Sequence, residues 1–382
     1  MGPKSSFHQP SYDGALSQVL RRVLQDRKVS VGIVLGETKI FPSIYKFLWD
    51  ALELCSSPIP IADVKMAFSG SSWREVFGEN FSVTRNIASF LKSHDKLEAV
   101  VIISEAQPSA SITAERTNVE LNLAIVFPPF PKAAESIEDL IDSGYLTESV
   151  PISANQDIAF ITLSQIIRRQ SSSPLKGQRV LVTAGPTQGP IDAVRYVSST
   201  SSGSLGSEIA DQLYLSGCEV HVLLGKGSSR IPLFAPVAWI QTPDELQVAV
   251  EKEALNADII IFAAAVLDYV PREPKAVKTP SGLSEWTIEL KQTPKIINLV
   301  KQLNPKSILV GFKLLVGVSD QALLEEGKKR LQNVDILVAN DLRKVSEHTH
   351  EALVITKNKI QRATSKLQIA QLVKNELENF SV

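Results

Sequence analysis

Five short runs of aliphatic and β-branched residues recur in the second half of the chain, and polar or amphipathic segments separate them. The runs cover Val180–Gly185, Glu219–Gly225, Asp258–Ala265, Ser307–Phe312 and Asp335–Asn340. Runs without alternating polar positions are typical of strands buried on both faces, as when helices cover both sides of a parallel sheet. The pattern therefore predicts an α/β fold with a doubly wound, Rossmann-like parallel sheet.

Signals for helix ends lie between these predicted strands. Thr242–Glu245 has the sequence Thr-Pro-Asp-Glu, a capping box with proline at the first helical position. Thr293–Pro294 is expected to open a later helix in the same way, and Gly217 to end an earlier helix that starts at about Gly206. A further strand over Trp286–Leu290 is expected to belong to a hairpin.

The first half of the chain shows the same alternation less regularly. Apolar runs predict strands at Val29–Gly36, Glu98–Ser104 and Leu123–Phe127, and a helix is predicted over Ile158–Arg169. The segment Arg168–Lys176 combines charge, three serines and a proline, which is typical of a linker. We therefore divide the chain into a flexible N-terminal segment with a first helix (1–27), a second α/β domain (28–170), a linker (171–177) and the doubly wound domain (178–382).

Composition narrows the class of ligand. The 40 Lys and Arg residues oppose 41 Asp and Glu, a net charge of -1, so no basic field favours nucleic acid and a small ligand is expected. Cys55 and Cys218 lie in separate halves, which argues against a disulfide or a thiolate metal site. His348 and His350 have no further ligand types at metal spacing, so no metal ligand is assigned.

The chain has no run of about 18 apolar residues, and its N-terminus lacks the charged and apolar regions of a signal peptide. We therefore expect a cytoplasmic protein without a membrane partner.

Glycines and small hydroxyl residues follow the first strand of the predicted doubly wound sheet. Gly185, Thr187, Ser202 and Gly203 lie between the end of that strand and a predicted helix start. Backbone N–H groups in such a segment suit phosphate or another anion. No complete dinucleotide fingerprint and no Walker A lysine accompany them. The spacing alone is compatible with either a phosphate-binding loop or a flexible surface connection.

Two further segments carry charged candidates. Asp268 follows the third strand after small residues, where it could accept hydrogen bonds from a ribose or substrate hydroxyl, or simply cap a helix or face solvent. Lys275 and Lys278 lie in the polar segment Lys275–Gly282. A loop of this kind can close over phosphates, although lysines on such loops are also ordinary surface residues.

The order of motifs resembles that of the phosphopantothenate cysteine ligase family. The succession TAGPT, PIDAVRYVS, SSGSLG, AAAVLDY, the lysine segment, TPKI, VGFKL and VAND extends from about Lys176 to the C-terminus. The resemblance implies that 4'-phosphopantothenate is activated by a nucleoside triphosphate, CTP or ATP, with Mg²⁺, and that cysteine then attacks the acyl nucleotide. It also implies a dimer through the ligase domains, with an interface strand from the hairpin region around Trp286.

The resemblance assigns roles to individual residues. It implies catalytic roles for Lys275, Ser199 and Asp268. It places nucleotide or phosphate contacts at Gly185, Thr187, Ser202, Gly203, Ala264, Lys278, Phe312 and Asn340.

Two positions depart from the family pattern. Ser199 occupies the place of a family asparagine that helps complete the reaction of the acyl nucleotide, and Ser204 stands where bacterial members usually carry lysine. A serine offers one donor, whereas the amide offers two donors and an acceptor. Two readings follow: a working ligase, or a catalytically impaired nucleotide-binding or assembly homologue. A dehydrogenase is disfavoured because no glycine fingerprint with a downstream acid is present.

The first half faintly resembles the flavin-dependent decarboxylase to which bacterial ligases are often fused. Phe127–Lys132 stands where that family has Pro-Ala-Met-Asn. Decarboxylase activity is therefore not predicted, and the substitution argues against FMN binding. We expect a divergent flavoprotein-like α/β domain that serves oligomerisation.

Overall fold

The computed structural model of the chain divides into two compact units, residues 1–170 and 171–382. The described residues are 29–35, 61–68, 99–105, 120–126, 146–153, 164, 167–169, 171–346 and 349–380. The expectations for residues 1–27, most of the helix over 158–169, Cys55, Phe127–Lys132 and His348 lie outside them.

The described backbone of the first unit is a five-stranded sheet. Its strands are β1 (Val29–Leu35), β2 (Ile61–Phe68), β3 (Ala99–Glu105), β4 (Glu120–Val126) and β5 (Leu146–Ser153), in the order β2-β1-β3-β4-β5. β1 pairs in parallel with β2 and β3, while β4 is antiparallel to β3 and β5. The three predicted strands are present, each with slightly different bounds. β2 and β5 were not predicted, because polar residues interrupt both segments.

The second unit contains an eight-stranded sheet in the order β10-β9-β6-β11-β14-β15-β16-β17. The bounds are β6 (Arg179–Ala184), β9 (Glu219–Gly225), β10 (Val237–Ile240), β11 (Ile259–Phe262), β14 (Ile308–Leu315), β15 (Ile336–Val345), β16 (His350–Ile355) and β17 (Ile360–Ala363). The strands β10 to β15 along this order are parallel, and β16 and β17 extend the sheet antiparallel. The predicted parallel sheet is confirmed.

Helices cover both faces of this sheet, as the uninterrupted apolar strands require. They are α1 (Ser204–Leu215), α2 (Pro243–Glu253), α3 (Ile296–Leu303), α4 (Asp320–Arg330) and α5 (Lys366–Phe380). One core cluster joins α1 and α5 to the sheet, through residues such as Ile209 and Val373. The other joins α2, α3 and α4 to the opposite face, through residues such as Val250 and Val300.

Two small hairpins complete the unit. β7 (Gln188–Pro190) pairs with β8 (Tyr196–Ser198), and β12 (Tyr269–Pro271) pairs with β13 (Leu290–Gln292). We call residues 272–289, between β12 and β13, the lysine loop. The predicted hairpin strand over Trp286–Leu290 was therefore placed too early, because pairing with β12 begins only at Leu290.

Local signals located the helix ends with mixed success. Thr242 caps α2, with its hydroxyl accepting from the Glu245 N–H at 3.2 Å, and Gly217 follows the end of α1 as predicted. The helix expected at Thr293 begins instead at Ile296, because the Thr293 hydroxyl donates to the Leu267 carbonyl. β11 ends at Phe262 and not at residue 265, although Ala263 N still donates to Thr183 O at 2.9 Å and an isolated bridge joins Ala265 to Pro186.

Candidate functional site

The second sheet reverses its direction of winding between β6 and β11. From β6 the chain continues to β9 and β10 on one side, and then crosses to β11, β14 and β15 on the other. The carboxyl ends of the two strands at such a switch point diverge and leave a crevice for ligands. Here the loops that follow them are bridged, because Ala265 N donates to Gly185 O at 2.9 Å and Thr187 N donates to Ala265 O at 3.2 Å.

Two glycines bring backbone close together at this edge. Gly203, the N-cap of α1, and Gly185, directly after β6, have φ of +73° and +79°. A Cβ atom would lie 2.9 Å from Ser228 Oγ at Gly203 and 2.0 Å at Gly185, so a larger residue would meet both strain and a clash. Gly203 supplies no side-chain cap to α1, although the Ser204 N–H at the start of the helix donates to Ser202 Oγ at 3.3 Å. Apart from that one N–H, the positive end of this helix is available to an anion.

The hydroxyls of Ser202 and Ser204 lie next to this helix end, 2.8 Å from one another. They flank Gly203, and both residues are half-buried. Their hydroxyl protons can reorient toward a phosphate oxygen. The structure thus brings Gly185, Ser202 and Gly203 together, and phosphate binding by them stays a prediction.

Ser199 directly follows β8 and lies beside the segment after β11. Its hydroxyl donates to Ala265 O at 3.4 Å, a long hydrogen bond that a ligand could replace. Thr187 is fully buried, and its hydroxyl accepts from the Leu267 N–H at 2.9 Å. Thr187 therefore holds the loop after β11, and contact with a phosphate would need its remaining hydroxyl proton.

Phe312 lies on β14, the strand next to β11, and Asn340 lies on β15, one strand further along the sheet. Phe312 packs against the core cluster that contains α1, and strand alternation from Val338 places Asn340 on the same face of the sheet. Asn340 is only 7% exposed. Ala264 lies at the end of β11, where its N–H donates to Thr183 Oγ1 at 3.3 Å. All three residues therefore border the carboxyl edge where α1 begins.

Asp341, next to Asn340, binds three backbone N–H groups. Its carboxylate accepts from the N–H groups of Gly317 at 2.8 Å, Arg343 at 3.0 Å and Val318 at 3.1 Å. These bonds, that of Gly317 foremost, hold the pKa of Asp341 below its usual range. Asp341 thereby fixes the turn after β14, beside Asn340.

Asp268 is placed at the mouth of the crevice but is already paired. Its carboxylate contacts Lys295 Nζ at 2.5 Å, and both side chains are more than half exposed. Lys295 was missed because it is 27 residues away in sequence. A ribose or substrate hydroxyl would have to share the Asp268 carboxylate with this ammonium group.

Lys275 and Lys278 are exposed on the lysine loop. Lys275 N donates to Ile191 O at 3.0 Å, and its ammonium lies 6.0 Å from the centroid of the Trp286 ring. Neither lysine forms an ion pair with a residue of the described ranges. Both charges are thus available, although no described contact ties Lys278 to the crevice.

Sequence reasoning missed the carboxylate that connects the lysine loop to the β7–β8 hairpin. Asp192 has a fully buried side chain and lies within the PIDAVRYVS motif, but its partner Thr279 is 87 residues away. The N–H groups of Thr279 and then of Val194 and Arg195 hold the pKa of Asp192 below its usual range, against the effect of desolvation. An acid three residues before an arginine was the available local signal.

Residues 175–380 match the model of the DNA/pantothenate metabolism flavoprotein C-terminal domain family. The chain belongs to this family. It is 35% identical over 224 residues to the coenzyme A biosynthesis bifunctional protein CoaBC of Thermococcus kodakarensis, covering 56% of this chain and 55% of that protein. It is 32% identical over 215 residues to a cysteine/cysteine sulfinic acid decarboxylase of an unknown prokaryotic organism, covering 56% and 58%.

A solved structure gives the same result for the second unit. The DNA/pantothenate metabolism flavoprotein from Streptococcus pneumoniae is similar with a TM-score of 0.50 and 29% identity, covering 53% of this chain and 100% of that one. The chain spans about half the length of the curated relatives it matches. The resemblance drawn from the motifs is confirmed at the level of the family. Across the described ranges, no helix is both long and apolar enough to cross a membrane.

Proposed function

We propose that this protein is a ligase of coenzyme A biosynthesis, which joins 4'-phosphopantothenate to cysteine through an acyl nucleotide. One observation carries the proposal: in a member of this family, the N-terminus of α1, where Gly203 offers no side-chain acceptor, lies at the switch point between β6 and β11. The coenzyme A role printed for the Thermococcus relative supports it.

The proposed reaction needs a site that holds two anionic substrates. The carboxylate of 4'-phosphopantothenate attacks the α-phosphate of the nucleotide and releases pyrophosphate. The cysteine amine then attacks the acyl carbon, and the nucleoside monophosphate leaves. The N-terminus of α1 and the ammonium groups of Lys275 and Lys278 would offset the repulsion between substrates.

Mg²⁺ fits this arrangement as a companion of the nucleotide. Within the part of the chain that the structure describes, no group of three or more His, Cys, Asp or Glu side chains could hold a metal ion. Mg²⁺ commonly binds through substrate phosphates, waters and only one or two carboxylates. Asp268 is a candidate for such a carboxylate, and bound Mg²⁺ would neutralise phosphate charge. The choice between CTP and ATP stays open.

A second candidate function is a catalytically impaired nucleotide-binding or assembly homologue. Ser199 favours it, because one hydroxyl replaces the amide expected to assist the acyl-nucleotide step. In this alternative the anion site at Gly203 persists without turnover.

The test is mass spectrometry of the purified full chain with 4'-phosphopantothenate, cysteine, Mg²⁺ and either CTP or ATP. Phosphopantothenoylcysteine would establish the ligase and its nucleotide. An accumulating acyl nucleotide would identify the second step as the defect, and absence of both would leave the binding homologue. Lys275→Ala should lower product formation, whereas exposed Lys306→Ala should not.

For the first unit we propose a divergent decarboxylase-like domain, with a boundary near residues 171–177, no decarboxylase activity and no bound FMN. Ser171 Oγ donates to Ser216 O at 2.8 Å, and Leu175 is fully buried, so these boundary residues pack on the second unit. A cytoplasmic location forms part of the same proposal.

We further propose that the protein is a homodimer through its two small hairpins. Val194, Tyr196, Tyr269 and Leu290 are 46–59% exposed there, and contiguous exposed apolar surface marks protein interfaces. Sedimentation velocity should give a dimer for the native chain and a monomer for Tyr196→Asp combined with Leu290→Asp. A native monomer at micromolar concentration would refute the interface.

A further inference from the structure

The β7–β8 hairpin and the lysine loop are joined by one carboxylate. Asp192 Oδ1 accepts from the N–H groups of Val194 and Arg195, each at 2.9 Å, and so closes its own turn. Asp192 Oδ2 accepts from the Thr279 N–H at 3.0 Å, across 87 residues of sequence. The two oxygens thus have separate tasks, one within the hairpin and one between the two segments.

Other contacts reinforce the same junction. The Arg195 guanidinium binds Asp192 Oδ2 at 3.2 Å and donates to Thr279 O at 3.3 Å. Lys275 N donates to Ile191 O at 3.0 Å. The backbone of the loop is therefore held at Lys275 and at Thr279, on either side of Lys278.

An aromatic ring supports the two nearest cations. Arg195 lies 5.0 Å and Lys275 6.0 Å from the centroid of the half-buried Trp286 ring. Cations within about 6 Å of an indole face are attracted by its quadrupole. Trp286 therefore attracts one cation of the β7–β8 hairpin and one of the lysine loop, which favours their approach to one another.

We infer that Asp192 is a positioning residue, which holds the lysine loop against the β7–β8 hairpin so that Lys275 and Lys278 are placed before a nucleotide binds. We call the junction of Asp192 with Thr279 the latch. The inference rests on the proposed function for the identity of the ligand, whereas the latch rests on the contacts given above. Prior placement matters because a ligand that must first close the loop binds more weakly, in proportion to the fraction of closed molecules.

Asp192→Asn separates the two tasks of this side chain. The amide oxygen can still accept from Val194 and Arg195, but the amide nitrogen then faces the Thr279 N–H, and two donors repel. Asp244→Asn, an exposed acid in the first turn of α2, is the matched control for the lost charge.

Limited trypsin digestion measures how readily the lysine loop leaves the hairpin, and it needs no ligand. The peptide bond after Lys278 contains the Thr279 nitrogen, whose N–H donates to Asp192 Oδ2. Trypsin can cleave this bond only after that hydrogen bond breaks and the loop leaves the hairpin. Peptide mass spectrometry should show cleavage after Lys275 and Lys278 about tenfold faster in Asp192→Asn, the loss expected for one charge-assisted hydrogen bond. Cleavage after Lys357, in an exposed turn, and all rates in Asp244→Asn should match the native chain.

Steady-state kinetics then tests the purpose of the latch. We expect the KM for the nucleotide to rise about tenfold in Asp192→Asn with kcat little changed, whereas general structural damage would lower kcat. Trp286→Leu keeps the carboxylate bonds and should give smaller changes in the same direction, which Trp286→Phe should partly reverse. If Asp192→Asn does not fold, Asp192→Glu, which keeps the charge but displaces both carboxylate oxygens, replaces it in the digestion.

The outcomes are distinguishable. An unchanged cleavage rate after Lys278 in Asp192→Asn overturns the latch, whatever the activity. Faster cleavage with an unchanged nucleotide KM overturns its role in positioning. A native chain without turnover refutes the proposed function, and the digestion still decides whether Asp192 holds the loop.

Discussion

Ser199 places one short hydroxyl beside the segment after β11, where it donates to Ala265 O at 3.4 Å. The long distance means that this bond contributes little to the fold. An asparagine at the same position would reach further and could act as donor and acceptor together. The residue type at position 199 therefore distinguishes the two proposed functions, a working ligase and an impaired homologue.

Replacing Ser199 with asparagine tests whether this serine limits the proposed reaction. If the serine limits the second half-reaction, Ser199→Asn should raise product formation at least about tenfold, since one preorganised polar donor is typically worth roughly 10²–10³ in rate, and should remove any accumulated acyl nucleotide. Both species can be followed by mass spectrometry. Thr200→Asn, an exposed neighbour, should behave as the native chain, and equal rates for Ser199→Asn would show that the hydroxyl suffices.

At the scale of elements, two Thr-Pro pairs have different structural roles: one caps a helix and the other does not. Thr242 caps α2, and Glu245 accepts from the Gln241 N–H at 2.6 Å and not from Thr242 itself. Thr293 instead donates to Leu267 O, so that α3 begins at Ile296 without a side-chain cap. The same local signal was overridden where a tertiary acceptor lay within reach, at the loop after β11.

The α2 cap gives a prediction about stability. Thr242→Ala leaves an N–H of the first turn without its acceptor and should lower the free energy of unfolding by about 1 kcal/mol. Urea denaturation followed by circular dichroism measures the change. Val248→Ala, on the exposed side of the same helix, should change stability much less, and equal effects of the two variants would refute a capping role.

At the scale of the whole molecule, β16 and β17 turn a parallel sheet into a mixed one. His350 begins β16 and is only 9% exposed, and neither ring nitrogen has a hydrogen-bond partner among the described residues. Burial, aided by the charge of Lys366, lowers the pKa of His350 to about 4. The folded protein therefore requires this imidazole to be neutral.

This burial predicts an acid sensitivity. Between pH 6.5 and about 4 the unfolded chain binds a proton at His350 that the folded chain does not, so the contribution of His350 to the free energy of unfolding falls as the pH falls through this window. Asp211, whose pKa burial raises to about 7, contributes in the opposite direction. As the pH falls, His350→Phe should therefore lose less stability, or gain more, than the native chain, as measured by thermal or urea denaturation across the window. Parallel pH profiles for the native chain and His350→Phe would contradict the prediction.

Much of the fold could be predicted from the sequence, because strands that are buried on both faces are continuous runs of apolar residues. The runs that became β6, β9, β11, β14 and β15 are continuous and apolar, and the order of motifs pointed to the family without any contact being known. β10 and β17 were missed, since they are the two edge strands of the sheet and need not be apolar on both faces. β16 lies between β15 and β17 and was missed because its apolar run, Ala352–Ile355, is short.

The site depended on contacts that local periodicity does not encode. Asp268 with Lys295, Ser199 with Ala265 and Asp192 with Thr279 are joined across 27, 66 and 87 residues. Such pairs form only where the carboxyl ends of particular strands meet, which follows from strand order. The linear pattern could thus name residues able to bind phosphate or carry charge, while the folded sheet decided which of them lie together and which are already engaged.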